Sequence, residues 1–136
     1  MITQYTFTVG PFPYGFHIVT DEILSNVGRL PEKGFMHVFI QHTSAGLTIN
    51  ENADPDVLHD FKLYFDTLIP NTLPGMRHTI EGPDDMSAHI KATLTGSSVT
   101  IPVTDHQLNL GRWQGIYIGE FRTHARKRTL IVSIYS

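Results

Sequence analysis

Residues 41–60 read QHTSAGLTINENADPDVLHD. Before them, Phe35 to Gln41 (FMHVFIQ) is nearly continuous apolar sequence starting after Gly34, too short for a helix and suited to a buried central strand. Within them, Leu47 to Asn50 predicts a further short strand. At their end, Asp54-Pro55 supplies an N-cap and a proline at the first helical position, where a missing N–H costs nothing. Val57, Phe61, Tyr64, Phe65 and Leu68 then recur at i, i+4, i+7, i+8 and i+11, one apolar helical stripe ending before Pro70. A strand therefore enters this stretch and a helix leaves it. The connection carries His42, Thr43, Ser44, Asn50, Glu51 and Asn52, and polar connections held by rigid elements are where function concentrates.

The flanking sequence repeats this mixture. Ile2 to Val9 alternates as a half-buried strand, and Gly10 to Gly15 breaks it with two prolines and two glycines. Thr20-Asp21-Glu22 predicts a Thr-capped helix through Ile23, Leu24 and Val27. After a turn-rich segment, Asp84-Asp85 opens a second helical pattern with Met86, Ile90 and Leu94 as its apolar face, closed by Gly96. Ser98 to Val103, Arg112 to Arg122 (RWQGIYIGEFR) and Thr129 to Tyr135 predict strands. Together they give one α+β domain over residues 1–136, a mixed, mainly antiparallel sheet or sandwich with two or three helices packed on it.

Composition narrows the function. The 136 residues are 40% hydrophobic and 17% charged, with a formal net charge of −3 and no cysteine. A disulfide scaffold, thiolate metal sites and a cysteine nucleophile are excluded, and a broad nucleic-acid surface does not fit an acidic chain. No run approaches the ~20 apolar residues of a membrane span. MITQYTFTVG has neither the basic start nor the apolar run of a signal peptide, so a soluble cytoplasmic protein is expected.

Eight histidines against ten Lys plus Arg is a high share. His42, His78 and His89 come from three separate blocks, the number of imidazoles many catalytic zinc sites use, although no compact metal signature such as H-E-x-x-H links them. His17, His37, His59, His106 and His124 are weaker candidates. Asp84 and Asp85 read either as helix-start acids or as a pair holding Mg²⁺ before a substrate diphosphate. Thr43 and Ser44 offer donors to a phosphate, or simply close a turn. Arg122, expected at the end of the long strand, is the candidate phosphate clamp, with Glu120 on the same face orienting it. Arg126, Lys127 and Arg128 read as a solvated turn. Trp113 is a core anchor or a ligand platform. A P-loop and a G-x-S-x-G elbow are both missing.

Three segments, QHTSAGLTINENADPDV, EGPDDMSAHIK and RWQGIYIGEFR, resemble the hallmark segments of the YjbQ-like family, also called secondary thiamine-phosphate synthase-like proteins. Members usually have proline where this chain has Ser87 and threonine where it has Arg112. The resemblance implies an α+β fold, a homotrimer and a low-level transferase activity joining an aminopyrimidine diphosphate to a thiazole phosphate. In that reading His42, His78, His89 and Asp84 are catalytic, and Thr43, Ser44, Asp85, Trp113, Glu120 and Arg122 bind a phosphorylated small molecule. Mg²⁺ or a transition metal such as Zn²⁺, the latter on the three histidines, is the expected cofactor, and no organic one is expected. The alternatives are a metal-dependent hydrolase of another substrate and a non-catalytic ligand-binding or assembly protein.

Overall fold

Residues 1–136 are described by a computed structural model. Its elements are β1 (Ile2–Val9), β2 (Gly15–Ile18), α1 (Thr20–Ser25), β3 (Lys33–Ile40), β4 (Ala45–Glu51), α2 (Pro55–Leu68), α3 (Asp85–Thr95), β5 (Ser98–Thr104), β6 (Gln107–Leu108), β7 (Gln114–Glu120) and β8 (Arg128–Tyr135). The strands form a five-stranded sheet in the order β1-β8-β3-β5-β6 and a three-stranded sheet in the order β2-β7-β4. All six strand pairings are antiparallel. No helix is long and apolar enough to cross a membrane.

The two sheets face one another across the main core. Met36, Val38 and Ile40 of β3 and Leu130 and Val132 of β8 meet Leu47 of β4 and Ile116 and Ile118 of β7. The pleat sends alternate residues the other way. From β7 that residue is Tyr117, which joins Phe16, Phe121 and Ala88 in a second cluster beneath α2 and α3. The smaller sheet is thus a middle layer, covered on both faces. This is why β7 is buried from Gly115 to Glu120, with no exposed alternate. Phe16 lies 5.0 Å edge-on from Phe65, and Phe61 lies 5.6 Å edge-on from Tyr117. Each such pair contributes about 0.5–1.5 kcal/mol beyond its area.

Several local expectations change. Gly46 on β4 has no room for a side chain, since a Cβ there would lie 1.9 Å from Thr95 Oγ1 and 2.9 Å from the Gly96 carbonyl oxygen. The end of α3, at Thr95 and Gly96, therefore lies nearly on the backbone of β4, while Ala88 and Ala92 pack into the second cluster. The predicted apolar face of α3 turns outward instead, leaving Leu94 62% exposed, while Asp85, Ser87 and Lys91 are buried. On α2, Asp54 caps as expected, its side chain accepting from the Asp56 amide at 2.9 Å. Phe61 and Phe65 pack inward, but Tyr64 and Leu68 of the same stripe are exposed.

β3 is central in hydrogen-bonding order but not covered on both sides, and Phe35 on its outer face is 53% exposed. Thr20 is not the cap of α1. Val19 takes that position, and Thr20 Oγ1 accepts from the Ile116 amide at 2.9 Å. The strand expected over residues 112–122 is shorter, leaving Trp113 in the turn before β7 and Arg122 beyond its end.

Candidate functional site

Asp85 opens α3, and His89 follows it by one turn, so their side chains share a face. The long connection from α2 brings His78 to the same point. His78 Nε2 lies 2.6 Å and His89 Nε2 2.9 Å from one oxygen, Asp85 Oδ2, and the two rings are 5.5 Å apart. These three donor atoms all lie within 4.8 Å of one another.

Hydrogen-bond logic makes this grouping informative. His89 Nδ1 is 2.9 Å from the Thr43 carbonyl oxygen, and a carbonyl only accepts, so Nδ1 carries the hydrogen. In a neutral ring Nε2 is then a bare acceptor, yet it faces a carboxylate oxygen. Burial pushes the Asp85 carboxyl up, but the His78 hydrogen bond and the nearby His89 and Arg122 outweigh it and hold Asp85 below the usual carboxylate range. Two acceptors at that distance require a proton or a cation between them.

The other oxygen of Asp85 is taken by Arg122 Nη1. Arg122 Nε donates to Asp84 Oδ2 at 3.2 Å and Nη2 to the Glu81 carbonyl at 2.9 Å. Asp84 Oδ2 also accepts from the Thr123 amide at 3.0 Å. Burial raises the Asp84 carboxyl, and the Thr123 amide and Arg122 outweigh it and lower it overall. The acidic pair is therefore split. Asp85 faces the imidazoles, whereas Asp84 braces Arg122. Arg122 is correspondingly an ion-pair partner rather than the free phosphate clamp expected.

His42 does not join the three-donor cluster, and Asp85 takes the place expected for it. Its Nε2 accepts from the Thr129 amide at 2.8 Å, and Arg128 lies 3.3 Å from Nδ1. Burial first, and the Arg128 charge second, lower its pKa from the ordinary histidine value. His42 and His89 nevertheless line one cleft of about 600 Å³, together with Thr43, Thr93 and Ser97.

Glu120 orients Arg128, not Arg122. Its carboxylate receives Arg128 Nε at 2.7 Å and also Nη2, and it reaches Arg122 only through that residue's backbone amide. Arg128 additionally donates to Ser44 Oγ at 3.0 Å, which makes Ser44 part of the cleft wall's support. Arg128, read from the sequence as part of a solvated turn, is instead 7% exposed, with Glu120 at 0%. The sequence reading began that strand at Thr129, whereas β8 begins at Arg128.

Trp113 is separated from this site. β4 and β7 pair from Ala45↔Glu120 to Glu51↔Gln114, and Trp113 lies beyond the second end, about 20 Å from the first at the usual strand rise. It is 56% exposed, with the Arg112 guanidinium 4.8 Å over its ring. Behind α3 lies a second polar group that the sequence reading missed. Lys91 Nζ donates to Tyr14 Oη and lies 3.2 Å from Asp66 Oδ1. Burial, then the Asp66 hydrogen bond, push the Tyr14 phenol far up.

Comparison with known proteins adds ancestry. The profile of the family described as "UPF0047 protein YjbQ-like" matches residues 6–136. The UPF0047 protein YjbQ of Escherichia coli O157:H7 is 42% identical over 133 residues, covering 96% of each chain. The UPF0047 protein MJ1081 of Methanocaldococcus jannaschii is 42% identical over 117 residues, covering 85% of this chain and 81% of its own. Among solved structures, an uncharacterized conserved protein of the same family from Clostridium acetobutylicum superposes with a TM-score of 0.77 at 38% identity, covering 98% of this chain and 99% of that one. A conserved hypothetical protein from Thermus thermophilus, TT1486, gives 0.81 at 32% identity, covering 93% and 96%.

Proposed function

The chain belongs to the UPF0047/YjbQ-like family, and from that premise we propose that it is a divalent-metal-dependent hydrolase of phosphorylated small molecules, with His78, Asp85 and His89 holding the ion. The observation that carries this reading is the convergence of three donor atoms within 4.8 Å, two imidazole nitrogens on one carboxylate oxygen, with the His89 Nδ1 hydrogen committed to the Thr43 carbonyl so that Nε2 is the atom turned to the cluster. Two imidazoles and a carboxylate form a donor set used for zinc and other first-row divalent ions. A bound ion of this kind supplies Lewis acidity toward a phosphoryl oxygen.

The chain's own groups supply the rest. Thr43 orients His89 through its carbonyl, the outer contact that fixes a ligating ring's tautomer. Thr43 and Ser97 line the cleft beside His89 with hydroxyls that can donate to a phosphate held there, whereas the Thr93 hydroxyl in the same lining already donates to the His89 carbonyl at 2.8 Å. His42 lines the same cleft as an imidazole that burial favours in its neutral form. Thiamine-phosphate synthesis, the reaction implied by the resemblance, needs cationic help for a departing diphosphate. Arg122, the residue expected to give it, has its charge matched by Asp84 and Asp85, so in either reaction that help would come from the bound ion, and the assay below separates the two.

The test is turnover of metal-free protein reconstituted separately with Zn²⁺, Mn²⁺ and Mg²⁺. Phosphate release from a panel of sugar, nucleoside and thiazole phosphates is assayed beside condensation of the two thiamine precursors. Metal-dependent phosphate release, abolished in Asp85→Ala, is the expected result. Release that survives chelation overturns the metal role, and condensation without hydrolysis makes the protein a transferase. No turnover with any substrate favours a ligand-binding or assembly protein.

The homotrimer belongs to the same proposal, supported by the half-exposed Phe35 and Phe39 on the outer face of β3. Light scattering at three times 15.3 kDa supports it, and a monomeric mass removes it.

A further inference from the structure

We propose that Arg122 is a positioning residue of the metal site: its guanidinium holds one carboxylate oxygen of Asp85 so that the other faces His78 and His89. The inference rests on the reading of those three residues as metal ligands and goes on to say what shapes them.

Asp85 has two oxygens and two distinct sets of neighbours. Oδ2 lies 2.6 Å from His78 Nε2 and 2.9 Å from His89 Nε2, while Oδ1 is held by Arg122 Nη1. Without the second contact, the carboxylate can rotate about its terminal torsion, which is broad and roughly two-fold. Arg122 is itself fixed at two further points, by Asp84 Oδ2 on Nε and by the Glu81 carbonyl on Nη2. Asp84 is anchored in turn by the Thr123 amide at 3.0 Å and the Thr123 hydroxyl at 3.3 Å. A planar fork held at three nitrogens transmits that geometry to Asp85. A lysine ammonium, a single point charge, cannot reach all three acceptors in the same directions.

The charges of the cradle permit this role. Asp84 and Asp85 carry two negative charges against one positive charge on Arg122, so the group retains a negative charge for a dication. A guanidinium near a metal site would, by charge alone, repel the ion. Positioning and simple electrostatics therefore predict opposite signs when Arg122 is removed, and this makes the role testable.

The test is Co²⁺ and Zn²⁺ binding by calorimetry to full-length wild type, Arg122→Gln and Arg122→Lys, with the visible spectrum of the Co²⁺ complex as a second readout. The Arg122 side chain is 27% exposed against 3% for Asp85, so Arg122→Gln is expected to lower stability; circular dichroism checks the fold, and Arg122→Lys, which keeps the counter-charge, serves as the folded control. Loss of an outer-shell partner typically weakens metal binding about 10–100-fold, and a loss in that range is expected for Arg122→Gln. Arg122→Lys, which keeps the charge, is also expected to bind more weakly than wild type, and both variants to shift the Co²⁺ bands. Tighter binding in Arg122→Gln with unchanged binding and spectrum in Arg122→Lys shows that Arg122 acts only as a charge and overturns the proposal. Equal affinity in all three proteins overturns it too while leaving the metal site standing. If wild type binds neither ion, the metal reading itself fails and this inference falls with it.

Discussion

Replacing Glu120 by glutamine tests the buried ion pair that supports the cleft wall. Glu120 is fully buried and Arg128 is 7% exposed, joined through Nε–Oε1 at 2.7 Å and a second contact from Nη2 to Oε2. Glutamine preserves shape but removes the counter-charge, and it sets an amide N–H₂ against one guanidinium N–H. The remaining neighbours of Arg128, Ser44 Oγ at 3.0 Å, the Ser44 carbonyl at 3.4 Å and His42 Nδ1 at 3.3 Å, offer no negative charge. Breaking one side of a buried pair costs about 3–5 kcal/mol, because a charge is left without compensation. With an unfolding entropy of about 2.1 cal/mol/K per residue over 136 residues, that cost lowers the Tm by about 10–17 °C. Thermal melts followed by circular dichroism measure it. The double variant Glu120→Met with Arg128→Met removes both charges and should recover most of the loss, since apolar replacements of buried pairs are often neutral or stabilising. A single-variant loss below about 1 kcal/mol, the range of exposed pairs, would refute the reasoning, because it would mean that water reaches the pair.

Three further outcomes follow from the same geometry. Gly46→Ala should destabilise by about 1–3 kcal/mol or more, because its Cβ would meet Thr95 Oγ1 at 1.9 Å and the Gly96 backbone at 2.9 Å; an unchanged urea midpoint would contradict the close approach of α3 to β4. His42 has a lowered pKa in the folded chain, through burial and then Arg128, so the unfolded chain binds its proton more readily. Its stabilising contribution is complete above about pH 6.5 and is lost as pH falls through the folded value. The stability difference between wild type and His42→Asn, from urea melts at pH 7.5 to 5, should therefore shrink toward acid, and a constant difference would remove the argument. Trp113→Ala should leave metal affinity and turnover unchanged, because the residue lies beyond the far end of the β4–β7 pairing; a tenfold loss of either would bring it back into the site.

The fold was legible wherever one physical cause dominated. Asp54-Pro55 and the inward Phe61 and Phe65 placed α2, and alternation placed β1 and β5. Where causes competed, the reading failed. Hydrophobic periodicity assigned the wrong face to α3 because that helix buries Asp85 and Lys91 against partners distant in sequence, turns Ala88 rather than Leu94 to the core, and meets β4 at Thr95 and Gly96. Periodicity measures apolar content and is blind to a helix oriented by ion pairs and close backbone contact.

The candidate site was half legible. His78 and His89 meet, and the i, i+4 spacing of Asp85 and His89 on a helix beginning at Asp85 was a local signal for the third donor. His42 was grouped with them by residue type and by the family resemblance, neither of which carries geometry, and the chain places its Nε2 on the Thr129 amide. The exchange of partners between Glu120, Arg122 and Arg128 had no local signature. It depends on where β7 ends and β8 begins, and strand ends are set by pairing across the sheet rather than by neighbouring residues.

The central claim is tested most directly by anomalous diffraction from crystals grown with Zn²⁺, with data collected on both sides of the zinc absorption edge. The account predicts one strong anomalous peak per chain, within about 2.0–2.2 Å of His78 Nε2, His89 Nε2 and an oxygen of Asp85. A fully loaded crystal with no peak there, or with its peak on His42, would contradict it.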